Sequence, residues 1–193
     1  ISSVAASYAT KNRAPSIRDL RIEPASGAVA SKATLRWSAA DPDGDGISVD
    51  AQARPAGTGT WRSATRSDPA PSKPTDPTLG NDGSSKEGKA TWDTADWEEG
   101  VYEMRAVASD QAANPETEGL EATAELPITV IVDRTPPTIE AKRRGDALDV
   151  AVADGLSGVS RLELVTGGKV AFSPRCDDGV CDDTRESFRI PAA

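Results

Sequence analysis

Histidine is absent from this 193-residue chain, and that single absence removes a large part of catalytic chemistry. Serine triads with an imidazole base, histidine-ligated zinc and imidazole acid–base catalysis all need a ring that the sequence does not contain. Any catalysis would fall to carboxylates, lysine, tyrosine or cysteine. Aromatic residues are scarce, at 4% against 37% hydrophobic residues overall, so a core must rest mostly on Val, Ile, Leu and Ala. That composition suits small β-sandwiches better than one large globule, and the length allows one large or two ordinary domains. Basic residues are outnumbered, 22 against 31 acidic, for a formal net charge of −9. With no basic face to release counterions, nucleic acid and anionic membrane surfaces are disfavoured as partners. No apolar run approaches the roughly 20 residues that span a bilayer, so no membrane insertion is expected.

Cysteine is nearly absent as well. Cys176 and Cys181 stand alone in an acidic chain and read as a local disulfide of an exported protein. Their spacing is wider than a redox C-x-x-C pair, and no further thiol or imidazole is available to complete a metal set. The sequence opens at Ile1 without Met or signal peptide, as expected of an excerpt or a processed form.

What the chain does have is alternation. Residues 1–14 form a lead segment whose Lys11-Asn12-Arg13-Ala14-Pro15 end reads as a linker, and Ile17, Leu20 and Ile22 open a first domain over 15–133. Ala33 to Trp37 alternates with period two, as do Ile47, Val49, Ala51 and Ala53 after the turn-forming Asp41-Pro42-Asp43-Gly44-Asp45-Gly46, and Trp61 marks a further strand. A Pro/Ser/Gly-rich stretch over about 68–89 has almost no apolar residue and reads as an exposed, mobile excursion, with order resuming at Ala90. Then come the corner Asp96-Trp97-Glu98-Glu99-Gly100, a strand with Tyr102, Met104, Ala106 and Ala108 on one face, and a last strand through Leu126, Ile128, Val130 and Val132. Roughly seven strands and no helix result, with Trp37 and Tyr102 as core anchors.

Asp133-Arg134-Thr135-Pro136-Pro137 reads as a stiff joint, because each proline restricts the residue before it. Beyond it, over 134–193, alternation returns at Ile139, at Leu148, Val150 and Val152, at Leu162 and Leu164, at Val170 and Phe172, and at Phe188 and Ile190. That is about five strands where a sandwich of this kind needs about seven. This second unit is therefore expected to be partial, either cut short or completed by a strand from a partner.

The fold class expected is all-β, two tandem antiparallel sandwiches with the second incomplete. On the Leu35/Trp37 strand, the Gly100/Tyr102 corner and Arg105-Ala106-Val107-Ala108, residues 15–133 resemble a fibronectin type III or related immunoglobulin-like module. More narrowly, ATLRWSAADPDGD, ATWDTADWEEGVYEMRAVASD and VDRTPP are similar to modules that follow β-propellers in large secreted bacterial proteins. The resemblance implies that the segment from Ala6 to Pro15 is where a propeller would end. It also implies that the unit bearing DDGVCDDTRESF would ordinarily continue with two more strands.

Candidate sites are few. Asp41, Asp43 and Asp45, followed by Gly46, match the first half of a calcium loop, but Gln52 stands where the bidentate Glu of an EF-hand belongs. A solvated turn serves these residues equally well. A calcium site on a sandwich loop would add Asp110 and Asn114, because the loops after the Trp37 and Tyr102 strands share one end of such a fold. Asp177, Asp178, Asp182 and Asp183 surround the cysteines and are either a second calcium candidate or an acidic loop pinned by the disulfide. Arg144-Gly145-Asp146 spells an adhesion tripeptide where a hairpin turn also needs Gly-Asp. Glu98 and Glu99 do not read as a glycosidase pair, which needs carboxylates facing across a cleft. Trp61 and Trp97 would carry a glycan-binding surface, whereas Trp92 reads as core.

The expected function is that of a non-catalytic extracellular module pair, a spacer, structural or interaction element of a larger bacterial secreted or surface protein. Its partners would be neighbouring domains or other surface proteins, and calcium is the one cofactor in view. An adhesive or carbohydrate-binding module, and a surface-fibre subunit assembled by strand exchange, are the alternatives.

Overall fold

The computed structural model describes residues 11–65, 86–114 and 118–191. The chain is all-β, with no helix among the described residues. The described residues of its first part contain nine strands: β1 (Ser16–Glu23), β2 (Ala28–Val29), β3 (Lys32–Ala40), β4 (Ser48–Pro55), β5 (Arg62–Ser63), β6 (Lys86–Asp93), β7 (Gly100–Ser109), β8 (Glu121–Glu125) and β9 (Val130–Val132). They form two sheets. One has the order β1-β3-β6, the other β2-β9-β7-β4-β5 with β8 also on β7. All pairings are antiparallel except β2 with β9, which is parallel.

A single hydrophobic cluster joins the two sheets, with Leu35, Trp37 and Trp92 from one and Ala51, Ala53, Tyr102, Met104, Val130 and Val132 from the other. Period-two alternation produces it directly: β7 buries Tyr102, Met104, Ala106 and Ala108 and turns Glu103, Arg105 and Val107 outward. In β1 the apolar spacing at 17, 20 and 22 breaks that period. The strand resolves the conflict with a register shift between Arg18 and Arg21, where Asp19 takes a φ of 55°. The bulge turns Leu20 and Ile22 to the same interior as Ile17.

Three expectations are corrected here. The polar excursion does not reach residue 89: Lys86–Asp93 is a strand paired with β3, while residues 66–85 lie outside the described residues. The strand through Leu126 and Ile128 is interrupted. Pro127 has no N–H for the ladder, so residues 126–129 bulge opposite Glu103 and Met104, Ile128 is 43% exposed, and β8 and β9 pair with the two ends of β7. Trp61 lies just before β5 and outside it.

Beyond residue 137, β10 (Thr138–Arg144), β11 (Ala147–Ala153) and β14 (Arg185–Pro191) make a three-stranded antiparallel sheet, while β12 (Leu164–Thr166) and β13 (Lys169–Phe172) form a separate hairpin. Val150, Val152, Val159, Cys176, Phe188 and Ile190 build a second cluster that shares no residue with the first. The expected inward alternation fails in the hairpin: Leu164, Val165, Val170 and Phe172 are all exposed, as is Ile139 on β10. Among the described residues β12 and β13 pair only with each other. Cys176 and Cys181 are joined in a disulfide, and among the described residues no helix is long and apolar enough to cross a membrane.

Candidate functional site

The end of the first sandwich where β3 and β7 both finish gathers the polar residues singled out in the sequence. Asp41 closes β3 and is 3% exposed. Its Oδ1 accepts the backbone N–H groups of Asp43 (2.8 Å) and Asp45 (3.2 Å), an Asx arrangement that Gly44, at φ 79°, allows to close. The turn points the carboxylates of Asp41, Asp43 and Asp45 together, each offering an oxygen within 4.8 Å of the others. Asp41 Oδ2 is buried without a hydrogen-bond partner.

Asp110 and Asn114, on the loop after β7, sit beside this turn in different roles. Asn114 donates its side-chain amide to Asp45 Oδ2 (3.0 Å) and to the Asp110 carbonyl (3.3 Å). Asp110 is fully buried, and its two carboxylate oxygens accept from Leu120 N (2.5 Å) and Asn12 Nδ2 (2.9 Å). Asp110 therefore braces the loops and is not among the clustered oxygens. Sequence spacing places it near the turn but cannot show which groups its oxygens accept from.

The residues that sequence reasoning missed are Asn12 and Arg13, taken there as plain linker. Asn12 also donates to the Glu118 carbonyl (2.7 Å), and its Oδ1 is buried and unpartnered. Arg13 holds Asp43 through its backbone N–H (2.7 Å) and its guanidinium (2.8 and 2.7 Å), and reaches the Pro42 carbonyl. Those bonds hold the Asp43 carboxyl below its usual range, the guanidinium hydrogen bond first among the causes. The only sequence signal is a polar Asn-Arg pair just ahead of a proline.

The opposite end of β7 fastens the outgoing chain. Arg134 donates to the carbonyls of Thr94 (2.6 Å) and Trp97 (2.7 Å), and its backbone N–H donates to Glu99 Oε1 (2.8 Å). Thr135 donates its hydroxyl to Glu99 Oε2 (2.9 Å). Glu99 is thus a structural clamp, while Glu98 offers its backbone carbonyl to the Tyr102 hydroxyl (2.8 Å).

Trp92, Trp97 and Tyr102 pack edge to face with centroids 5.2–5.5 Å apart, and the Arg62 guanidinium lies 4.4 Å from the Trp97 centroid. Trp61 carries two guanidiniums, Arg54 and Arg105, each 4.4 Å from its centroid. Neither indole presents a bare stacking platform. Arg144-Gly145-Asp146 forms the β10–β11 hairpin turn, with Gly145 at φ 61°. Beside the disulfide, Asp182 and Asp183 cluster with the buried Glu186, whose Oε1 accepts both their backbone N–H groups (3.0 Å each). Asp177 instead donates its N–H to the Ser187 carbonyl, and Asp178 accepts from Val180. The chain matches no family model, no curated protein and no solved structure.

Proposed function

We propose that this chain is a non-catalytic extracellular β-sandwich module pair, of fibronectin type III or immunoglobulin-like kind, that spaces and orients neighbouring parts of a larger bacterial secreted or surface protein. One observation carries this reading. The chain joins the first sandwich at one end of β7 and leaves at the other, and both junctions are fastened by side chains: Asn12 and Arg13 at one, Arg134 and Thr135 at the other. β7 has ten residues, so the two fastenings stand about 30 Å apart. A module built this way transmits position from one neighbour to the next. The Tyr102–Glu98 bond matches the tyrosine corner of such modules, and the disulfide supports an oxidising compartment.

The reading is tested by spin labels at positions 16 and 138. A single narrow distance distribution, broadened by Arg134→Ala, is the expected result. A broad distribution in the unaltered chain, or turnover of any ester, glycan or peptide, would sink it. The strand-exchange fibre reading is favoured by one observation, the exposure of Ile139, Val165, Val170 and Phe172. It requires concentration-dependent polymers in sedimentation, and a strictly monomeric chain removes it.

A further inference from the structure

Asp41 holds one oxygen that the fold does not explain. An Asx turn needs a single acceptor, and Oδ1 already supplies it to Asp43 and Asp45. Asn would serve the same turn without a buried charge. Instead a carboxylate 3% exposed keeps Oδ2 without a partner, an arrangement that is costly when nothing pairs with it. The neighbours make the cost larger. Asp43 and Asp45 bring oxygens within 4.8 Å, and like charges at that distance disfavour one another. Arg13 offsets one of the three.

The donors share one chemistry. All are hard carboxylate oxygens, which select calcium or magnesium over soft transition metals. Three carboxylates and one guanidinium leave about two negative charges, matching a divalent ion. Asp43 is exposed and Asp45 half-buried, so the cluster opens to solvent on one side while its Asp41 wall is dry.

We propose that Asp41, Asp43 and Asp45 bind a divalent cation of the calcium type, with Asp41 Oδ2 as the buried ligand. Arg13 and Asn114 are positioning residues: they orient the Asp43 and Asp45 carboxylates and make no contact with the ion. The site stands whether or not the spacer reading does.

Calorimetric titration of calcium chloride into the metal-stripped whole chain is the test. Saturable heat near one equivalent is expected, with Kd about 0.1–1 mM, together with a higher Tm than in chelator. Asp41→Asn keeps the Oδ1 acceptor of the turn yet weakens binding about tenfold or more. Asp45→Asn carries the same test if the first variant does not fold. Asp182→Asn/Asp183→Asn, at the other acidic cluster, leaves the affinity unchanged. No saturable heat up to about 10 mM calcium, or binding that survives both Asp41→Asn and Asp45→Asn but is lost on changing 182 and 183, overturns the proposal.

Discussion

The indole of Trp37 lies directly against the bare Cα of Gly88, its cross-strand partner, so that a side-chain carbon at position 88 would stand 2.6 Å from Cε2 of the ring. The ring is 2% exposed and cannot swing aside without opening the space between the sheets. Gly88 is therefore the residue that lets the Trp37 indole lie flat in the three-stranded sheet.

Gly88→Ala is expected to cost about 1–3 kcal/mol by overpacking. Urea unfolding followed by tryptophan emission measures it as a lower midpoint at unchanged slope. An unshifted midpoint would mean that the ring has room to spare.

Tyr102→Phe removes the hydroxyl that donates to the Glu98 carbonyl, at an expected cost of about 1 kcal/mol. Tyr102 also shapes the alkaline limb. Burial, reinforced by the nearby Glu98 charge and opposed by Arg62 and Arg134, raises its phenol above the ordinary value, near 10. In the unfolded chain the phenol ionises first, so its contribution is complete below pH about 10 and is lost as pH rises through the folded value. Tm measured between pH 8 and 11 falls less steeply for Tyr102→Phe than for the unaltered chain. Parallel slopes would remove this residue from the alkaline response.

The parts of this fold that sequence alone discloses are those where alternation and burial coincide. Tyr102, Met104, Ala106 and Ala108 declare their face because each outward neighbour can be polar or small without penalty. Gly88 defeats the same reading, since a buried glycine between Glu87 and Lys89 carries no hydrophobic signal. Leu126 and Ile128 mislead in the opposite sense, extending an apolar rhythm across Pro127, where the ladder cannot continue. At the acidic end, the carboxylates of Asp41, Asp43 and Asp45 are visible in their spacing. The bonds that Asp43 accepts from Arg13 and Asp45 from Asn114 span 30 and 69 positions, a separation that no local pattern encodes.

Asp43→Ala is expected to free the leading segment, because Arg13 loses both its backbone and side-chain acceptors. Limited trypsin digestion should cleave after Lys11 and Arg13 about tenfold faster, by the fall in local opening free energy. Acid should mimic the variant. The Asp43 carboxyl lies below its ordinary range because of Arg13, so the fastening is present above the usual carboxylate range and lost as pH falls through the lowered value. Its exposure also makes it sensitive to salt. An equal cleavage rate in Asp43→Ala and the unaltered chain would show that the Arg13–Asp43 contacts do not hold the segment.

The two cores share no residue. All four tryptophans, Trp37, Trp61, Trp92 and Trp97, precede residue 133, while the disulfide Cys176–Cys181 lies in the second part, with Cys176 packed in the cluster of Phe188 and Ile190. Opening a loop this short by Cys176→Ser/Cys181→Ser should cost the second core about 2 kcal/mol in the chain-entropy account. If the cores unfold independently, tryptophan emission in urea keeps its midpoint in the variant, whereas far-ultraviolet circular dichroism gains an earlier transition. A tryptophan midpoint that moves together with the dichroism would instead show one cooperative unit, with the Asp133 to Pro137 joint transmitting stability and not merely position.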